Sequence, residues 1–132
     1  MSEDKKQQYG DPMTYAFWEA AAQHRLVIQH CPRCGAYQFY PRPFCLACGE
    51  SKIEWAKARG TARIYSMTTV QVQISSEFSP PYVAAVVELD EGPRMLGNIV
   101  GGSPKIGDKV KLIWRERVDA PPLPVWTPTG TQ

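Results

Sequence analysis

Long hydrophobic runs are missing from this 132-residue chain. The longest, Tyr82 to Val87 (YVAAVV), falls far short of the about 18 apolar residues that a membrane-spanning helix needs. No secretory leader is expected either, because Met1 to Gly10 (MSEDKKQQYG) is polar throughout. A soluble, cytoplasmic protein without membrane contact is the expectation. Charge of one sign is scarce: 15 basic residues face 13 acidic ones, for a net +2, too even a balance to announce a polyanion partner. Histidine is scarce too, with only His24 and His30. No Ser/His/Asp order, glycine-rich phosphate loop or paired-carboxylate motif appears, and Gly101-Gly102 lacks the rest of a nucleotide fingerprint. Chemistry by this chain alone is not expected.

What is present is an ordinary globular proportion of hydrophobic (43%) and charged (21%) residues, together with twelve prolines. That is well above the usual proline share of about 5%, so short strands, turns and tails are favoured over a helical bundle. Asp11-Pro12 reads as a helix start, with an N-cap acceptor before a proline whose missing N–H costs nothing at the first helical position. Tyr15, Trp18, Ala22 and Leu26 then recur on one helical face, with Met13, Phe17 and Ala21 on an adjacent one. Two apolar faces leave two readings open: both pack on the chain's own core, or Phe17 and Trp18 anchor a second protein, as aromatics do at interface hot spots.

From Leu26 the pattern is extended (LVIQH, AYQFY, KIEWA) around two Cys-x-x-Cys-Gly knuckles. After Gly60 it becomes strand-rich. Thr61 to Gln73 alternates as one long strand, with Ala62, Ile64, Ser66 and Thr68 on one side and Arg63, Tyr65 and Met67 on the other. Tyr82 to Leu89 is a buried strand, Asp90 to Pro93 a hairpin turn and Arg94 to Val100 the return strand. Lys109 to Arg117 forms a fourth strand and Leu123 to Trp126 a short fifth. The expected class is mainly β: an N-terminal helix, a zinc ribbon and a small five-stranded Greek-key barrel of OB-fold type. The expected divisions are a disordered 1–10, helix and lead strand over 11–30, ribbon over 31–59, barrel over 60–126 and a flexible tail over 127–132.

The strongest chemical signal is Cys31-x2-Cys34 and Cys45-x2-Cys48. A two-residue gap lets one tight turn present two sulfurs to one ion at about 2.3 Å, and Gly35 and Gly49 supply permissive backbone after each pair. Four thiolates close a tetrahedron with no open position, so the ion expected is a structural Zn2+, one per chain. Iron in a rubredoxin-like redox role and a plain dithiol or disulfide pair are the alternatives. Four thiolates and one dication would leave the chain close to neutral. Between the knuckles lies Phe39-Tyr40-Pro41-Arg42-Pro43-Phe44. It reads either as a cap over the metal site, with Arg42 balancing the thiolate charge, or as a contact surface in which Tyr40, Arg42 and Phe44 meet an acyl-CoA or a partner.

Phe17-Trp18-Glu19, both CxxCG knuckles, Pro41-Arg42-Pro43, Trp55, Gly60-Thr61, Tyr65-Ser66, Pro81-Tyr82, Gly97, Ile106-Gly107-Asp108 and Pro124-Val125-Trp126 follow in an order that runs from residue 13 to 126. In that order the chain resembles the OB-fold, acyl-CoA-associated proteins with an N-terminal rubredoxin-like zinc ribbon, the domain of unknown function 35 family. The resemblance implies a non-catalytic accessory subunit in a hetero-oligomer with a thiolase-superfamily large subunit (thiolase, acyltransferase or aldolase) or a hydratase. There it would help to shape the acyl-CoA site, with catalysis left to the partner. The competing class is a zinc-ribbon and OB-fold nucleic-acid binder, in which Tyr65, Phe78, Tyr82 and Trp114 stack bases. Charge speaks against it, since residues 61–132 hold seven basic and seven acidic side chains.

Overall fold

The computed structural model describes residues 12–74, 76 and 78–129. The expected disorder of 1–10, the Asp11 cap and the last three residues of the expected tail lie outside the described residues. A 3-10 turn, Pro12–Thr14, leads into α1, Tyr15–Ala21, which is shorter than the apolar periodicity through Leu26 predicts. The helix closes on Arg25 N–H to Ala20 O (3.0 Å) and His24 N–H to Ala21 O (2.9 Å), with His24 at φ 59°. This is a Schellman end with a histidine where glycine usually stands. Leu26 therefore lies past the helix and enters the core from the connection. On α1 itself the buried side chains are Phe17, Ala20 and Ala21.

Three short strands form the ribbon sheet: β1 (Val27–His30), β2 (Tyr37–Gln38) and β3 (Glu54–Lys57), in the order β2-β1-β3 and antiparallel throughout. The lead strand before the first knuckle is thus the centre of the ribbon and not an appendage of the helix. Five more strands close a barrel: β4 (Thr61–Val70), β5 (Tyr82–Leu89), β6 (Arg94–Ile99), β7 (Lys109–Arg115) and β8 (Leu123–Pro128), ordered β4-β5-β6-β8-β7. β4 is long enough to pair with both β5 and β7, which closes the ring. β6 meets β8 in parallel at Ile99 and Trp126 only. This is the five-stranded Greek-key arrangement of an OB-fold. The last strand runs to Pro128, past the expected boundary at Trp126.

β4 departs from strict alternation. Its register shifts between Ile64 and Ser66, so Tyr65 is an inserted bulge residue and every later side chain changes face. Met67, placed with Arg63 by simple alternation, instead packs on the core. The strand ends at Val70, so Gln71 to Gln73 lie outside it.

One core runs through all three parts: Phe17 of the helix, Ile28 of the ribbon and Ile64, Val87, Val110 and Trp126 of the barrel belong to a single cluster. The junction is packed and not a linker. Leu112 N–H bonds to Gly60 O at 2.8 Å, and a Cβ on Gly60 would come within 3.3 Å of Leu112 Cβ. Among the described residues no helix is long and apolar enough to cross a membrane.

Candidate metal centre and the adjoining groove

The two knuckles are near copies of each other. Cys31 N–H bonds to Ala36 O (2.9 Å) and Gly35 N–H to Cys31 O (2.8 Å). Cys45 N–H bonds to Glu50 O and Gly49 N–H to Cys45 O, both at 2.8 Å. Gly35 and Gly49 hold φ of 82° and 84°, which lets each turn reverse without a side-chain clash. All four sulfurs lie within 4.8 Å of one another. Cys31 Sγ to Cys48 Sγ is 3.6 Å and Cys34 Sγ to Cys45 Sγ is 3.7 Å. The edge of a tetrahedron with zinc–sulfur bonds of about 2.3 Å is roughly 3.8 Å, so the cluster has the size of a zinc tetrathiolate. The same separations are far longer than the about 2.05 Å of a disulfide.

The thiols compete for charge. The Cys48 N–H aimed at its sulfur is the main influence on Cys45 and, against burial, lowers its pKa to about 7. At Cys48 the N–H of Glu50 pulls down, but burial and the sulfur contacts of Cys31, Cys34 and Cys45 outweigh it and raise the pKa to about 12. Cys34 is likewise raised, the Ala36 N–H being overcome by burial and the Cys45 and Cys31 contacts. Four thiolates at this spacing call for a compensating dication, and once four sulfurs bind, no coordination site is left for substrate.

Beside the ribbon lies an apolar groove of about 480 Å³, walled by four separate elements. The helix and the 3-10 turn before it give Phe17, Trp18 and Thr14; the inter-knuckle loop gives Phe39, Tyr40 and Pro41; β6 gives Met95 to Asn98; β8 gives Leu123 and Pro124. Phe17 and Trp18 meet edge to face at 4.9 Å, and Phe39 tilts onto Phe17 at 5.7 Å. Phe17 is buried and belongs to the core, whereas Trp18 is half-buried beneath Arg117, whose guanidinium carbon lies 5.5 Å from its ring centre. Gly97 packs directly on the buried Trp126 ring: a Cβ there would sit 3.0 Å from Trp126 Cδ1.

The loop's three candidate contacts separate. Tyr40 stands in the groove, half exposed. Arg42 lines a separate cleft, with Met13, Ala16, Ser51 and Trp55. Phe44 is exposed and lines neither. His24 Nε2 is 2.6 Å from Glu116 Oε2, and its ring stacks on Trp114 at 5.6 Å. His30 Nδ1 is 2.9 Å from Glu54 Oε2. The aromatics considered for base stacking have partners within the chain: Arg94 covers Tyr65 at 3.7 Å, Phe78 lies on Tyr82, and Trp114 is under His24. Leu96, Gly97, Leu123 and Pro124 were missed by the sequence reading as groove residues. Each lies in an unremarkable strand pattern, and only the barrel's closure brings them together.

Two family models match in tandem, "ChsH2, rubredoxin-like zinc ribbon domain" over residues 18–54 and "ChsH2, C-terminal OB-fold domain" over residues 55–115. A protein named probable enoyl-CoA hydratase alpha subunit, from Thermomonospora curvata, is 41% identical over 121 residues; the match takes in 89% of this chain, which spans only 38% of that relative's length. A DUF35 domain-containing scaffold protein of Methanothermobacter thermautotrophicus is 34% identical over 110 residues, covering 78% of this chain and 82% of its own. Among solved structures, a chain of the one described as Ltp2-ChsH2(DUF35) aldolase superposes with a TM-score of 0.83 at 37% identity, over 91% of this chain and 97% of that one.

Proposed function

The chain belongs to the DUF35 family, in the ChsH2 form of a rubredoxin-like zinc ribbon followed by an OB-fold, and on that premise we propose that it is a zinc-bearing, non-catalytic subunit of an acyl-CoA-processing enzyme complex. The partner we propose is a thiolase-fold enzyme such as an aldolase. The observation that carries this reading is the near end-to-end likeness to a chain of an aldolase structure named for two components. The hydratase alpha subunit relative names a second class of partner, with which the same fold would be joined in a longer polypeptide.

In this reading Cys31, Cys34, Cys45 and Cys48 hold Zn2+, which supplies a tetrahedral cross-link and no catalytic chemistry. The ribbon so fixed sets the inter-knuckle loop against the helix. Trp18 and Tyr40 offer an apolar surface to the partner or to the acyl chain it handles, and Arg42 offers a guanidinium to a phosphate or a partner carboxylate. Both histidines are held by carboxylates. The nucleic-acid reading loses support from the engaged state of Tyr65, Tyr82 and Trp114.

The test is co-expression with the products of neighbouring genes, followed by steady-state kinetics on acyl-CoA substrates. The complex is expected to co-purify and turn over, and the isolated chain to be inactive. Turnover by the isolated chain, or a partner fully active and soluble without it, overturns the proposal.

A further inference from the structure

Gln29 is the one polar side chain of the ribbon buried to 3% exposure, and it stands directly opposite Gln38 in the β1–β2 register. Their amides meet, Gln38 Nε2 donating to Gln29 Oε1 at 2.8 Å. The rest of both amides is spent on the backbone of the inter-knuckle loop and of Leu46, the first residue after Cys45. Gln29 Nε2 donates to Arg42 O (2.9 Å), and Gln29 Oε1 accepts from Arg42 N–H (2.8 Å). Gln38 Nε2 donates to Phe44 O (3.1 Å), and Gln38 Oε1 accepts from Leu46 N–H (3.0 Å). Two side chains thus do for residues 42–46 what a neighbouring strand would do.

We propose that Gln29 and Gln38 are a positioning pair, an amide latch that holds the inter-knuckle loop so that Phe39, Tyr40 and Pro41 stand as a wall of the apolar groove. The metal ligands fix the loop at its ends, through Cys34 before it and Cys45 after it; between those anchors the two amides hold the main chain at Arg42 and Phe44, and Gln38 also reaches past Cys45 to the Leu46 N–H of the second knuckle. A buried amide with all its partners in place is rigid, and removal of one member leaves loop N–H and C=O groups without partners. The latch therefore sets the groove's width without touching its occupant. Its bearing on complex formation rests on the proposed accessory role.

The experiment uses the full chain loaded with zinc. Gln29→Met keeps shape and removes the hydrogen bonds; Gln38→Met, at a half-buried site, serves if the first variant folds poorly. Amide exchange at Arg42 and Leu46 is followed by NMR, together with the proton contact between the Phe17 and Phe39 rings and the zinc content. The expected result is exchange faster by about ten-fold or more at Arg42 and Leu46, a lost Phe17–Phe39 contact and one zinc retained per chain. Unchanged exchange in both variants overturns the latch. Loss of zinc together with loop protection also overturns it, because the amides would then serve the metal knuckles and not the wall. Failure of the accessory role is seen separately, as a partner enzyme that is fully active and soluble without this chain while the latch results stand.

Discussion

Phe17 and Trp18 are neighbours in sequence with different tasks. Phe17 is 6% exposed inside the shared core, so Phe17→Ala is expected to cost about 3–5 kcal/mol, read by denaturant unfolding. Trp18 is half-buried on the groove side, and Trp18→Ala is expected to lose much less stability while weakening capture of the partner in a pull-down. Equal stability losses would show that both are simply core. Gly97 offers a sharper test. A Cβ there would approach Trp126 Cδ1 to 3.0 Å and Nε1 to 3.1 Å, and Trp126 is fully buried and has nowhere to swing. Gly97→Ala is therefore expected to destabilise by about 1–3 kcal/mol through overpacking, whereas Gly92→Ala on the hairpin meets no atom within 4 Å and pays only for its φ of 119°. Neither contrast was legible in the sequence. Periodicity put Phe17 and Trp18 on adjacent apolar faces but could not say which face met the barrel, because the helix stops at Ala21 and hands the next core position to Leu26.

At the scale of elements, the ribbon's three strands contain only ten residues in all, too few to stay folded on their own contacts. Cys34→Ser or Cys48→Ser is expected to lose stoichiometric zinc, and metal removal by a strong chelator to melt the order of β1 to β3. Retained one-to-one zinc in either variant would disprove the ligand set. Because Ile28 and Phe17 share a core with Val87 and Trp126, the barrel should not be indifferent: its thermal midpoint is expected to fall with the metal, although its strands persist in circular dichroism. Protons compete with the ion for sulfur, so zinc affinity is expected to weaken as pH falls. The knuckles were fully readable, since Cys-x-x-Cys-Gly encodes its own turn. The Tyr65 bulge in β4 was not, because an inserted residue is recognisable only against the partner strand that lacks a counterpart.

For the whole molecule, the helix, ribbon and barrel behave as one body. Its connections include the packed Gly60 junction and the His24–Glu116 contact that ties the helix end to the segment after β7. His24→Ala keeps the left-handed φ but loses both the Glu116 contact and the Trp114 stack. It is expected to destabilise the protein by about 1–2 kcal/mol, measurable as a lowered thermal midpoint with zinc content unchanged. In that body the apolar groove lies where helix, inter-knuckle loop and barrel meet.

The sequence by itself determined the features whose physics is local: a metal site of four cysteines at turn spacing, and strands marked by alternation and by the Asp90 to Pro93 turn. Only the tertiary structure decided the rest. Closure of the barrel brought Leu96, Gly97, Leu123 and Pro124 to the foot of the helix, the antiparallel register set Gln29 against Gln38, and the loop's path sent Tyr40, Arg42 and Phe44 in three directions. These depend on which backbones lie side by side, and residues more than 80 positions apart, such as Phe17 and Leu123, carry no local pattern that reveals that they share a groove.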